Sequence, residues 1–292
     1  MSAMGITRIR NAMTVDVEDY FQVQAFADRI DRSDWDAFPH RVDLNTNRIL
    51  DQFATHGVKA TFFTLGWVAE RFPTLVRRIV ADGHELASHG WDHTRVDRQD
   101  PETFRADIRR TRALLEDTAG TLVAGYRAAT FSIGARNLWA FPILRQEGYL
   151  YSSSINPIRH DLYGMPDAPR VPFYPDPDGV IELPMTTVRL LGRNWPCSGG
   201  GYFRLLPTAL YRAGLTRVNR HDRQPGIFYF HPWEVDPGQP HIHNAGWKSR
   251  LRHYTNLSRM AGDIDDLLRD FAWGRMDRVF ATALAGADAE QE

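Results

Sequence analysis

"HGVKATFFTLG", residues 56–66, is rich in β-branched and aromatic residues and is bounded by Gly57 and Gly66, which predicts a buried strand. Before it, Ile49, Leu50 and Phe53 recur at helical spacing, and Gly57 sits where a helix C-cap belongs. After it, Val68, Phe72, Leu75, Val76, Ile79 and Val80 predict a helix ending near Gly83, followed by a strand, "HELAS" (84–88). The same alternation continues outward. Asp100 and Pro101 suit the N-cap and N1 positions of a helix carrying Phe104, Ile108, Leu114 and Leu115, which stops before Gly120. Further strands are expected at 12–17, 122–127, 149–154, 180–185 and 227–231, with helices at 138–147, 205–218 and 257–271. Alternation of this kind calls for a parallel sheet with helices outside it, either doubly wound or closed into a barrel.

The 292 residues, 43% hydrophobic, suffice for one large core. A net charge of −1, with Lys and Arg spread along the chain, gives no footprint for nucleic acid. The single cysteine, Cys197, excludes an intramolecular disulfide and any CxxC site, so a metal would have to use His and carboxylates. No apolar run is long enough for a signal-peptide core or a membrane span, and a cytoplasmic location is expected. The Pro- and Gly-rich stretch from Asn156 to Gly179 is long for a connection in a compact domain.

Chemistry concentrates in four places. In "SHGWDH" (88–93), His89 and His93 are four apart, so a helical turn would put both imidazoles on one face as a two-ligand half-site. "TVDVEDYF" (14–21) crowds Asp16, Glu18 and Asp19 together at a strand end. Catalytic zinc commonly takes three protein ligands, and two His with one carboxylate is an attested set. One acid would complete the ligands and another would serve as general base, while Asp19 alternatively caps a helix through "YFQVQAFADRI". Arg127 ends the apolar run of "GYRAATF" (125–131), where it would hold a carboxylate bidentately. His231 follows the apolar run of "GIFYFHPWE" (226–234), where a general acid would be mounted. Asp16, His89, Arg127 and His231 each fall at the C-terminal end of a different expected strand, the face that carries the active site in βα barrels.

The order of these motifs resembles the polysaccharide deacetylases of carbohydrate esterase family 4, the NodB homology domain, from about residue 12 to 234. "GRNWPCSGGGYFRLLP", "HPWEVDPGQP" and "FAWGRMDRVF" are similar to the branch associated with exopolysaccharide loci of the exosortase type. The resemblance implies a deformed (β/α)7 barrel forming a single domain over 1–292, with a family-specific extension over about 235–280. It implies one divalent metal, zinc first, with cobalt or another divalent ion also compatible. His89 and His93 would be metal ligands with Glu18 or Asp19, because Val17 stands where the family usually has a second aspartate directly after Asp16. Asp16 would be the general base oriented by Arg127, and His231 the general acid. Trp91, Phe131, Ser152 and Trp233 are the candidates for substrate contact.

The implied function is removal of N-acetyl groups from an amino-sugar polysaccharide or its precursor in exopolysaccharide biosynthesis. The partner is then an N-acetylated glycan; the oligomeric state is left open. Two further departures stand out. Ala129 replaces a proline in the third motif, which predicts a looser loop. Ser152 replaces an aspartate that tunes the acid histidine, which predicts a lower pKa for His231 than in relatives. Alternative readings are a carbohydrate-binding protein with impaired catalysis and a hydrolase of small C–N bonds.

Overall fold

Arg10–Val17 is buried at every position after Arg10, as a strand covered on both faces must be, and forms β1. A computed structural model of the chain describes residues 9–242 and 246–289. β2 (Thr61–Thr64), β3 (Glu85–Ser88), β4 (Gly125–Tyr126), β5 (Tyr151–Ser152) and β6 (Ile181–Glu182) follow β1 in sheet order, all parallel. β9 (Ile227–Phe230) returns to pair with Ala12–Val15 of β1, and β10 (Ala272–Gly274) pairs with Arg10–Ala12. Residues 197–199 fill in between β6 and β9, with Cys197 N–H donating to Thr186 O and Tyr229 N–H to Ser198 O. The sheet is thus curled into the (β/α)7 form, with the seven expected strands in place.

The helices lie outside the sheet: α1 (Val42–Thr55), α2 (Gly66–Arg71), α3 (Pro73–Ala81), α4 (Pro101–Ala119), α5 (Ala140–Gln146), α6 (Gly200–Leu205), α7 (Thr208–Arg217), α8 (Trp247–Tyr254), α9 (Leu257–Asp270), α10 (Met276–Val279) and α11 (Ala281–Ala289). α4 has the expected ends: Asp100 accepts from Thr103 N–H at 2.8 Å, and Gly120 is left-handed at φ 65°. One expected helix is split in two: the run from Val68 to Val80 breaks at Phe72, because Pro73 offers no N–H to continue the ladder. The helix expected over 205–218 begins only at Thr208, after Pro207, and Leu205 instead closes α6. The segment "YFQVQAFADRI" forms only a 3₁₀ turn at Gln24–Phe26. The sequence reading did not anticipate the antiparallel hairpin of β7 (Thr187–Leu190) and β8 (Arg193–Pro196), nor β10. Among the described residues, no helix is long and apolar enough to cross a membrane.

Candidate active site

Because the strands are parallel, the residues at their C-terminal ends meet at one mouth. Asp16 is next to last in β1 and Glu18 just beyond it; His89, Arg127 and His231 directly follow β3, β4 and β9. Glu18, His89 and His93 present one ligand atom each, all within 4.8 Å of one another. The half-site is not a helical turn, as the spacing suggested. Residues 89–94 are irregular, with Gly90 and His93 both left-handed (φ 76° and 58°), and this folds the two rings to 5.4 Å between centroids. The loop is pinned to α2, whose Gly66 and Trp67 N–H groups donate to the carbonyls of Gly90 and Trp91 at 2.9 Å.

The donor set fits a metal ion. His89 Nδ1 is 2.9 Å from the Arg127 carbonyl, which fixes the proton there and leaves Nε2 as a lone-pair donor. Burial lowers the His89 pKa to about 4, so the ring is neutral, as a ligand must be. Glu18 Oε2 lies 2.9 Å from His93 Nε2, yet it is buried without a hydrogen bond of acceptable geometry. Burial opposes its charge, but His93 and His231 outweigh that and bring the Glu18 pKa down to about 2. Asp19 is turned elsewhere. Its carboxylate accepts from the N–H groups of Tyr20 (2.9 Å), Arg41 (2.7 Å) and Val42 (2.9 Å), so it secures the start of α1 rather than a helix directly after itself.

Arg127 is wholly buried. It donates from Nη1 to Asp16 Oδ1 (2.6 Å) and Thr14 Oγ1 (2.8 Å), and from Nε to Ser153 O (3.1 Å), with the guanidinium 4.0 Å from the Phe63 ring centroid. This single Nη1 contact to Asp16 replaces the expected bidentate one. His231 faces the acids across the mouth, with Nε2 3.4 Å from Glu18 Oε1 and 4.0 Å from Asp16 Oδ2. Its Nδ1 is 2.8 Å from Glu234 Oε1, and Glu234 Oε2 accepts from Arg204 Nε at 2.7 Å. Although burial alone would lower it, the His231 pKa is raised to about 9 by Glu18, Glu234 and Asp16.

Glu234 and Arg204 escaped the sequence reading. The signal was present in "HPWE": an i, i+3 pair whose acid also accepts the His231 backbone N–H at 3.1 Å, forming a capping box. The charge whose loss at Ser152 predicted a lower His231 pKa is supplied from another position. Ser152 is buried, its hydroxyl donates to Ser154 Oγ at 2.8 Å, and the histidine takes its negative charge from Glu234 instead. The loop at Ala129 is fastened, with Ala128 N–H donating to Ser154 Oγ (2.9 Å) and Ser132 Oγ to Ala129 O (2.6 Å). Of the other candidates for substrate contact, Trp91 packs away from the cluster beneath the Arg110 guanidinium and against Gly66. Trp233 is stacked between His231 and His253, at 5.2 and 4.0 Å. Phe131 packs on Tyr229 at 4.8 Å and lines a cavity of about 560 Å³ with Tyr163, His160 and Trp139.

Residues 34–149 match the family model for polysaccharide deacetylases, and residues 153–281 match a domain of unknown function, DUF3473. The chain carries a polysaccharide deacetylase domain. The peptidoglycan-N-acetylglucosamine deacetylase of Bacillus cereus is 40% identical over 75 residues, 26% of this chain and 27% of that protein. A chitooligosaccharide deacetylase of Rhizobium leguminosarum is 42% identical over 66 residues, 23% of this chain and 31% of that protein. The chain thus spans under a third of the length of these curated relatives. In three dimensions the deacetylase domain and its continuation share one fold with a putative polysaccharide deacetylase from Mycobacterium smegmatis (TM-score 0.61, 19% identity, 99% of this chain and 94% of that one). The fold is also that of a carbohydrate esterase family 4 pseudoenzyme from Bacillus anthracis (TM-score 0.51, 13% identity, 94% of this chain and 66% of that one).

Proposed function

We propose that the protein is a metal-dependent hydrolase that removes N-acetyl groups from an amino-sugar glycan. The observation that carries this is the convergence of Glu18, His89 and His93 with Asp16 and His231 at one mouth, Asp16 being held by Arg127. A divalent ion, zinc by preference, held by Glu18, His89 and His93 would polarise the acetamide carbonyl and activate water. Asp16 accepts the proton of the attacking water, and Arg127 holds its carboxylate in place. His231 gives its Nε2 proton to the departing nitrogen, while Glu234 holds Nδ1 and stabilises the imidazolium. Water adds to the carbonyl carbon, the C–N bond breaks, and acetate and a free sugar amine result. The motif resemblance at residues 192–207, 231–240 and 271–280 supports a glycan of exopolysaccharide biosynthesis as the substrate. The binding-only alternative rested on Ser152 and Ala129, and Glu234 supplies the charge that Ser152 does not.

Acetate release from N-acetylglucosamine oligomers, measured with and without a chelator, tests the proposal. Release that the chelator stops and added zinc restores is expected, with Asp16→Asn slower by about 10²–10⁴-fold. Stoichiometric bound metal without release from any N-acetylated glycan would overturn it in favour of a binding protein.

A further inference from the structure

Residues 183–221 contain no Asp or Glu, and neither do residues 237–262, in a chain with 36 acidic and 35 basic side chains. The fold brings the two stretches together. Arg204, in α6, donates from Nη1 to His253 O and from Nη2 to Arg252 O, both at 3.2 Å, and Asn256 Nδ2 donates to Arg204 O at 2.7 Å.

The surface on these stretches is apolar where a water-facing surface is ordinarily polar. The β7–β8 hairpin turns through Leu191 and Gly192, both left-handed (φ 52° and 74°), a geometry that favours Asn or Asp at the first position. Leu191 is nevertheless there, 91% exposed, so it carries the strain of a bulky left-handed residue without any compensating burial in this chain. Trp195 on the same hairpin is 53% exposed, and Leu210 on the adjoining α7 is 60% exposed. On α8, Trp247 and Leu251 stand one turn apart at 71% and 57%. Arg189, Arg193, Lys248, Arg250 and Arg252 are interleaved with them, exposed, and unpaired with any carboxylate among the described residues.

We propose that this face docks on an anionic lipid bilayer. Exposed leucine and tryptophan interleaved with cations, on stretches that themselves hold no acid, is the composition of a surface that seats in the headgroup region. A protein interface instead has a core depleted of charge. The position also fits. α6 begins against Glu234, the partner of His231, and its Tyr202 lies beside Tyr163 at the cavity next to the catalytic mouth. A docked molecule therefore holds its mouth close to the headgroup layer, within reach of a glycan attached to a lipid. Docking is independent of the deacetylase reading, because it is read without turnover.

The test is co-sedimentation of the full chain with vesicles of phosphatidylglycerol and phosphatidylcholine, or of phosphatidylcholine alone, alongside Leu191→Ser/Trp195→Ser, Trp247→Ser/Leu251→Ser and Arg250→Glu/Arg252→Glu variants. Circular dichroism confirms that each is folded. Binding to the anionic vesicles only is expected, released near 1 M salt, where the Debye length is about 3 Å. Each removed cation should weaken it roughly fivefold, and each apolar pair at least about tenfold. Three results would overturn the proposal: no binding to anionic vesicles, binding that the variants leave unchanged, or self-association through the same leucines and tryptophans without vesicle binding.

Discussion

The carboxylate of Asp19 satisfies three backbone donors at the start of α1, whereas Glu18, one position earlier, faces His93 and His231. Asp19→Ala should therefore lower the unfolding free energy by about 2–4 kcal/mol in urea melts and leave metal stoichiometry in the folded protein unchanged. Glu18→Gln should abolish metal uptake measured by calorimetry; the reverse pattern would move the ligand role to Asp19. Glu234→Gln keeps the size of the group next to His231 and removes its charge. Its kcat for acetate release should fall about 10–100-fold with little change in KM, and an unchanged kcat would make the contact incidental. Glu182, at β6, is buried and accepts from Ser154 and Ile155 N–H, and burial raises its pKa from 4.5 to about 7. The folded state then binds this proton more tightly than the unfolded chain does. The stability it contributes is full below pH 4.5 and is lost as pH rises through about 7. Between those limits wild type should lose roughly 3 kcal/mol more than Glu182→Gln, as paired denaturation curves across that range would show.

The histidine loop depends on α2. A Cβ at Gly66 would run into the Trp91 ring, so Gly66→Ala must displace either the first turn of α2 or the loop that carries His89 and His93. A loss of about 1–3 kcal/mol is expected, together with weaker metal affinity, measured by thermal unfolding and by competition with a chelator. Elements with strong end signals were legible in the sequence: α4 between Asp100–Pro101 and Gly120, and the buried strands with their β-branched runs. Asp16, Arg127, His89 and His231 were legible because parallel strands put their C-terminal ends on one side. The β7–β8 hairpin was not, since two leucines occupy its turn region and no Asn-Gly pair marks the turn. The loop geometry at His93 was equally hidden, because i, i+4 spacing is shared by helices and by left-handed loops. Glu234 was overlooked in favour of Ser152, although only the former is local to His231 in the chain.

The family models divide the chain near residue 150, but the proposed catalytic set does not respect that division. Asp16 and Glu18 precede both matches, His89, His93 and Arg127 lie in the deacetylase match, and His231 and Glu234 lie in the domain of unknown function. β1 is hydrogen-bonded to β2 on one side of the division and to β9 on the other. Thr14 Oγ1 donates to Phe228 O across 214 residues of chain. Contacts of such sequence separation form late, because the loop entropy must be lost before they bring any return. Assembly of the mouth therefore has an order in time. On a chain growing from its N-terminus, Glu18, His89 and His93 are all available more than a hundred residues before His231 is made. Pulsed labelling during refolding should find the histidine loop protected before β9 joins β1, so the proposed ion would be captured by a nascent protein that is still chemically inert.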